Sequence, residues 1–348
     1  MLVRGWSVWA VFFFFLGFGF ASSRQPRRGF YYARARKLYP NCPTLFVDQS
    51  GKGNFTRIQS AIDSVPSGNR NWICVYVKSG EYREQVSIPI EKPYIYLKGE
   101  GKRKTNVVWG EHGSITTSPT LISQADNIVV KSISFRNSYN NPPTGSNSNP
   151  IKPVVAVMVS GDKSAFYRCG FYGLQDTLWD VQGRHYFKLC TIQGAVDFIF
   201  GAGQSIYERC TISVIAGALN GLAGFITAQG RSDPKDTSGF VFKTCNVVGT
   251  GQTYLGRPWR EYARVVFYNS SLSDIVTPEG WDAWGQVLGG EYRLTFAEHD
   301  CHGTGSNTLK RVKWEARLDP RMLAWLTSMS YIDNEGWISS QPFNMLTT

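Results

Sequence analysis

Short blocks of apolar and polar residues recur through the middle of the chain, each rich in aromatic and β-branched side chains. They read NIVVKSISFRNS (127–138), SAFYRCGFYG (164–173), RHYFKLCTIQG (184–194), QSIYERCTISV (204–214), GFVFKTCNVVG (239–249) and RVVFYNSSLSD (264–274). Blocks of this composition, bounded by turn residues, predict strands. Most place an aromatic first, then a cysteine or small residue, then an apolar residue two positions on. Cys169, Cys190, Cys210 and Cys245 fill the same slot at spacings of 21, 20 and 35 residues. A period near 20 with longer insertions predicts a solenoid of β-coils, in which each coil buries its apolar face only by stacking on its neighbours. Equivalent residues then lie about 4.8 Å apart. The four cysteines would form an inward ladder, either as buried thiols or as disulfides between neighbours.

Helical periodicity is rare. Residues 54–66 carry Phe55, Ile58, Ala61, Ile62 and Val65 on one face, and Pro66 stops the run. This segment would cap the N-terminal end of the solenoid. A second short helix is expected at 320–330. The stretch 137–153 is a polar loop of Asn, Pro and Ser, followed by a strand in VVAVMVS.

Composition supports an all-β or loop-rich fold: only 18% of the 348 residues are charged and 35 are glycine. Residues 1–22 hold one arginine, a long apolar run and then small residues, the pattern of a secretory signal peptide cleaved near Ala21. The same run is about as long as a short signal anchor. A basic stretch follows at 23–43, and the folded domain is expected over 44–348. The formal net charge of +11 suits a polyanionic partner, and outside the cell an acidic polysaccharide fits better than nucleic acid. The secretory route permits disulfides, and seven cysteines leave at least one thiol over. No His/Cys cluster has metal-ligand spacing. Sequons at Asn54 and Asn269 imply surface positions.

Two acidic motifs lie on consecutive coils. GLQDTLWD (173–180) carries Gln175 and Asp176, and GAVDFIFG (194–201) carries Asp197 among apolar neighbours. Their 21-residue separation equals the Cys169–Cys190 step, which sets Asp176 and Asp197 side by side on one face. Adjacent carboxylates drive their pKa values apart, so one can hold a proton while the other is charged. That is the requirement for an acid and a nucleophile in one site. The bland alternative is that both aspartates cap turns. Arg257, held between Gly256 and Pro258 in YLGRPWREY (254–262), could keep Asp197 ionised, and Trp259 could stack on a sugar.

Taken together, GKGNFTRIQSAIDSVP, GEYREQV, AFYRCGFYGLQDTL, VDFIFG and LGRPW resemble, in order and spacing, the motifs of the pectinesterases of plant cell walls. The resemblance runs from about residue 44 to 340. It implies a right-handed parallel β-helix with short capping helices and an esterase that removes methyl groups from galacturonate in pectin, without a cofactor. Position by position, it implies that Asp197 is the nucleophile, Asp176 the acid and then the base, and Gln175 an oxyanion donor. Arg257 would orient Asp197, Trp259 would line the sugar subsites and Phe200 the methyl pocket. It further implies a monomer, secreted to the wall, open to a proteinaceous pectinesterase inhibitor and lacking an inhibitor-like pro-region. In one departure, Pro153 stands where the family usually has a second oxyanion glutamine, with Lys152 and Gln193 as candidate substitutes. Pro153 motivates an alternative reading as a catalytically weak pectin-binding wall protein. A glycoside hydrolase or lyase on the same kind of solenoid is the third reading.

Overall fold

The computed structural model describes residues 42–140, 151–285 and 290–343. The expected signal peptide, almost all of the basic stretch and the middle of the 137–153 loop lie outside these residues. The complete coils each contribute one strand to each of three parallel sheets, and partial coils at the ends bring these to ten, eight and seven strands. One coil runs Ser164–Tyr167, Gly170–Tyr172, Leu178–Asp180, and the next runs Arg184–Lys188, Thr191–Gly194, Ile199–Gly201. The sheets belong to a right-handed parallel β-helix, as the resemblance implies.

The repeat read from sequence is a physical register. Phe166 pairs with Phe187, Phe187 with Tyr207, Tyr207 with Phe242 and Phe242 with Phe267 along the ten-stranded sheet. These rings stack inside the solenoid with centroids 4.4–5.1 Å apart. Full burial of one such ring is worth roughly 1.5–3 kcal/mol. At the corner leaving this sheet, Arg168, Leu189, Arg209, Thr244, Asn269 and Asp300 all adopt left-handed backbone, φ 45–56°. Each reverses the chain so that the next residue points inward. Those next residues are Cys169, Cys190, Cys210, Cys245, Ser270 and Cys301. Each donates to a carbonyl of the preceding coil, at 3.1–3.5 Å.

The cysteine ladder is thus made of thiols, and the alternative of disulfides between neighbours does not occur. The one disulfide joins Cys42 to Cys74, outside the repeat, and ties the chain before the strand Thr44–Val47 to the strand Ile73–Val77. Of the five thiols, four are buried and Cys301 is partly exposed. Burial pushes the Cys301 thiol up to about 11, which suppresses its reactive thiolate. Native protein is therefore expected to react slowly with a thiol reagent, and five thiols should appear on denaturation. Rapid labelling of several thiols in the native state would contradict the ladder.

The capping helices are shorter than the periodicity suggests. Helix α1 spans Ile58–Asp63 and buries Ile58, Ala61 and Ile62 against the end of the solenoid. Residues before it stay extended because Asn54 and Phe55 hydrogen-bond to the Phe46 carbonyl. Glu84 accepts from the Ile58 and Gln59 amides, which satisfies two of the donors at the helix start. Helix α2, Pro320–Thr327, starts where Asp319 accepts from the Arg321 and Met322 amides. From it the C-terminal segment crosses the outer face of the ten-stranded sheet and buries Leu326, Tyr331, Ile332, Trp337 and Ile338 there. Asn54 and Asn269 are both exposed.

Candidate active site

The catalytic candidates stand at the corner between the eight- and seven-stranded sheets. Gln175 bridges to Val196, Leu178 pairs with Ile199 and Trp179 with Phe200, all one 21-residue step apart. The Asp176 amide donates to the Val196 carbonyl at 3.1 Å. Asp176 and Asp197 therefore occupy equivalent places on stacked coils. Both have left-handed backbone, φ 62° and 47°, a conformation aspartate tolerates better than most residues. The tight turn before Asp197 needs Gly194, since a Cβ there would lie 2.2 Å from the Phe198 Cβ.

Arg257 arrives from two strands away. Ile199–Gly201 pairs with Gly224–Gln229, which pairs with Thr253–Pro258 and sets Ala228 opposite Arg257. At Gly256 a Cβ would meet Thr227 Oγ1 at 2.0 Å, so only glycine lets the two strands pack this closely. Arg257 Nε donates to Asp197 Oδ1 at 2.8 Å and Nη2 to Oδ2 at 2.5 Å. This is the two-pronged geometry that guanidinium and carboxylate favour. Asp197 is only 7% exposed.

The guanidinium lies between two aromatic faces, its carbon 3.9 Å from the Phe225 ring centre and 3.8 Å from that of Trp284. Phe225 in turn stacks on Tyr254. Neither Phe225 nor Trp284 was singled out from sequence. Trp284 sits three residues after Trp281, which points into the core, and spacing alone does not separate the two. The clamp fixes the plane of the fork and shields it from water. Phe225→Ala is expected to lower kcat about 3- to 10-fold, with Phe225→Tyr near wild type; steady-state kinetics checks this. Equal loss in both variants would show that the ring face is not what matters.

The two carboxyls differ in surroundings. Burial raises the Asp197 carboxyl, Arg257 opposes that rise, and Asp282 adds a smaller upward push. Asp176 has no hydrogen-bonded arginine; burial first and the charge of Asp197 second drive it to about 7, with Arg257 only partly opposing. A proton shared by the site therefore resides on Asp176, while Asp197 keeps its ion pair. The pairing expected between Arg257 and Asp197 is present, and the Asp176 carboxyl is displaced upward.

Beside the carboxyls lies an apolar wall. Phe200 is 4% exposed and stacks on Trp179 with centroids 5.4 Å apart, and Trp259 meets its edge at 6.0 Å. Gln175 is partly exposed, and its side chain makes no hydrogen bond among the described residues. Pro153 is exposed, just before the Val154 amide that donates to the Gln175 carbonyl. The two substitutes suggested for the missing glutamine lie beside other groups. Lys152 is exposed, with Nζ 5.7 Å from the Tyr139 ring centre, and Gln193 lines a separate cleft with Arg136 and Tyr172. Among the described residues no cluster of His, Cys, Asp or Glu could hold a metal ion.

The family model for pectinesterase matches residues 44–335. Probable pectinesterase 29 of Arabidopsis thaliana is 59% identical over 300 residues, 86% of this chain and 89% of the relative. Probable pectinesterase 55 of the same plant is 54% identical over 303 residues, 86% and 92% of the two chains. Among solved structures, the pectin methylesterase from carrot superposes with a TM-score of 0.78 at 29% identity, covering 87% of this chain and 97% of its own. A pectin methylesterase in complex with a hexasaccharide gives 0.71 at 25% identity, covering 84% and 97%.

Proposed function

This chain belongs to the pectinesterase family and is a carboxylic ester hydrolase that removes methyl groups from pectin; we propose that Asp197 is its nucleophile, Asp176 its acid and base, and Gln175 its oxyanion donor. The observation that carries the assignment is the contrast between neighbouring carboxyls: one paired through two hydrogen bonds to Arg257, the other raised to about 7.

The reaction follows from that contrast. An Asp197 oxygen attacks the C6 carbonyl carbon of a galacturonate methyl ester, and the negative charge that develops on the carbonyl oxygen is met by the Gln175 side-chain N–H. As the C–O bond to methoxide breaks, Asp176 gives it a proton and methanol leaves. The remaining acyl-enzyme is an anhydride between Asp197 and the uronate. Asp176, now a carboxylate, takes a proton from water as the water attacks the uronate carbonyl. The anhydride opens, Asp197 returns to its pairing with Arg257, and the sugar leaves as a free acid. Phe200 and Trp179 offer the methyl group an apolar wall, and Trp259 offers a face for the sugar ring.

Gln175→Ala is expected to lower kcat about 100- to 1000-fold with little change in KM, the usual effect of losing one oxyanion donor. Methanol release from highly methylated pectin measures it, and a fall of less than about threefold would remove Gln175 from this role. The reading as a binding protein without turnover has no support beyond Pro153. Methanol without new reducing ends separates the esterase from a hydrolase. We also propose that the protein is secreted and acts in the cell wall as a monomer, sensitive to a proteinaceous inhibitor; membership in a family that acts on wall pectin supports the location.

A further inference from the structure

The clamp on Arg257 depends on a residue in a costly conformation. Trp284 has left-handed backbone, φ 53°, a region that bulky residues seldom adopt. The other aromatic face, Phe225, lies within the strand Gly224–Gln229 and needs no such turn. Trp284 is held by the chain just before it. Trp281 is buried in the core and bridges to Gly256, the neighbour of Arg257. The Asp282 amide then donates to the Gly256 carbonyl at 3.1 Å. From there the chain turns back. Asp282 Oδ1 accepts from the Trp284 amide at 2.7 Å, the local bond by which aspartate stabilises a tight turn. The turn lays the Trp284 ring on the guanidinium, 3.8 Å from its carbon. Asp282 and Trp284 are both partly exposed.

We propose that Asp282 is a positioning residue for the reaction: its carboxylate holds the turn that sets Trp284 on Arg257, and so fixes the fork that orients Asp197. The inference rests on the reading of Asp197 as the nucleophile. Without the Asp282 acceptor, the Trp284 amide loses its partner and nothing local offsets the left-handed backbone. The ring then swings away, and the guanidinium keeps only the Phe225 face. Its hydrogen bonds to Asp197 persist, but their plane is less firmly set, and attack on the ester needs a fixed carboxylate. The loss therefore falls on kcat rather than on KM. The charge of Asp282 adds a second, separable effect. Around Asp197 stand Arg257 from its strand, Asp176 from the preceding coil and Asp282 from this turn. Tyr254, stacked on Phe225, is raised by burial and then by the charges of Glu279 and Asp282. Burial raises the Asp197 carboxyl most, Arg257 opposes that rise and Asp282 adds to it. Asp197 has to be ionised to attack, so its titration sets the acid limb of the rate profile. Removing the Asp282 charge moves that limb to lower pH.

The test compares Asp282→Asn, which keeps an acceptor oxygen without the charge, with Asp282→Ala, which keeps neither. Asp282→Ala is expected to lower kcat about fivefold, the effect of one lost hydrogen bond, with KM changed by less than about twofold. Asp282→Asn should hold kcat within about twofold of wild type at the pH optimum, while the acid limb of its profile moves to lower pH. In a Trp284→Leu background, Asp282→Ala should cost less than about twofold more, because the turn then has no ring to place. Near-UV circular dichroism reads the turn without turnover. Asp282→Ala should show the difference spectrum of Trp284→Leu, and Asp282→Asn should match wild type. Equal losses of kcat in Asp282→Asn and Asp282→Ala would overturn the inference, as would a full loss from Asp282→Ala in the Trp284→Leu background. An unmoved acid limb in Asp282→Asn would remove the effect of charge. If folded Asp197→Asn kept its activity, the nucleophile assignment would fail, while the spectra would still report whether Asp282 holds Trp284.

Discussion

Asp197→Ala is expected to abolish methanol release, a fall in kcat of about 10⁴-fold or more. Among the described residues this carboxylate alone is bonded to an arginine at the corner and set beside a second carboxyl, which poises it to attack the ester. The fold should survive the change. Arg257 loses its counter-ion but keeps the faces of Phe225 and Trp284, and its guanidinium edge is partly open to water. Asp197→Asn separates shape from chemistry, since the amide keeps the volume and one acceptor for Arg257 but cannot form the anhydride. Both variants should be inactive with wild-type circular dichroism. Retention of more than about 1% of wild-type kcat in folded Asp197→Asn would remove the nucleophile from the scheme.

The solenoid and the placing of Asp176 beside Asp197 were legible for the same reason. In a parallel coil a fixed chain step becomes a fixed spatial step, so the Cys169–Cys190 and Asp176–Asp197 spacings report one geometry. Arg257 was legible as chemistry, a cation fixed between glycine and proline, although its path to Asp197 crosses an intervening strand. What was hidden depends on groups outside the repeat. Cys42 and Cys74 form the disulfide although neither shares the ladder slot, and an odd cysteine count does not say which pair closes. The clamp on Arg257 uses Phe225 from a strand and Trp284 from a loop, and side-chain direction in a loop has no period to read. Helix α1 ended up shorter than its apolar spacing because backbone bonds to Phe46 claim the residues before it. Gln193, suggested as a spare oxyanion donor, lines a neighbouring cleft with Arg136, a placing that the motif spacing does not show.

Asp176→Asn should show two opposite effects. Activity falls by about 10²- to 10⁴-fold, because the amide can neither protonate methanol nor activate water. Stability above neutral pH rises. The Asp176 carboxyl sits at about 7 in the folded chain against 3.8 in its ordinary environment, through burial and the nearby charge of Asp197. A raised value means the folded state holds a proton that the unfolded chain has released. The stability linked to that proton is complete below about pH 4 and is lost as the pH climbs through 7. An amide has no proton to lose. Wild type and variant should therefore unfold at similar temperatures near pH 4, and the variant should be higher by several degrees at pH 8, a difference on the order of 2–4 kcal/mol. Thermal unfolding across that range reads it directly. A gap that is the same at pH 4 and pH 8 would mean that Asp176 is not the proton carrier. In that case the alkaline limb of the wild-type rate profile, where the general acid loses its proton, would belong to another group. If the gap opens as described, the same carboxyl that costs the folded chain stability is the one that drives methanol off, and the strain of keeping it protonated near neutrality is a condition of the chemistry.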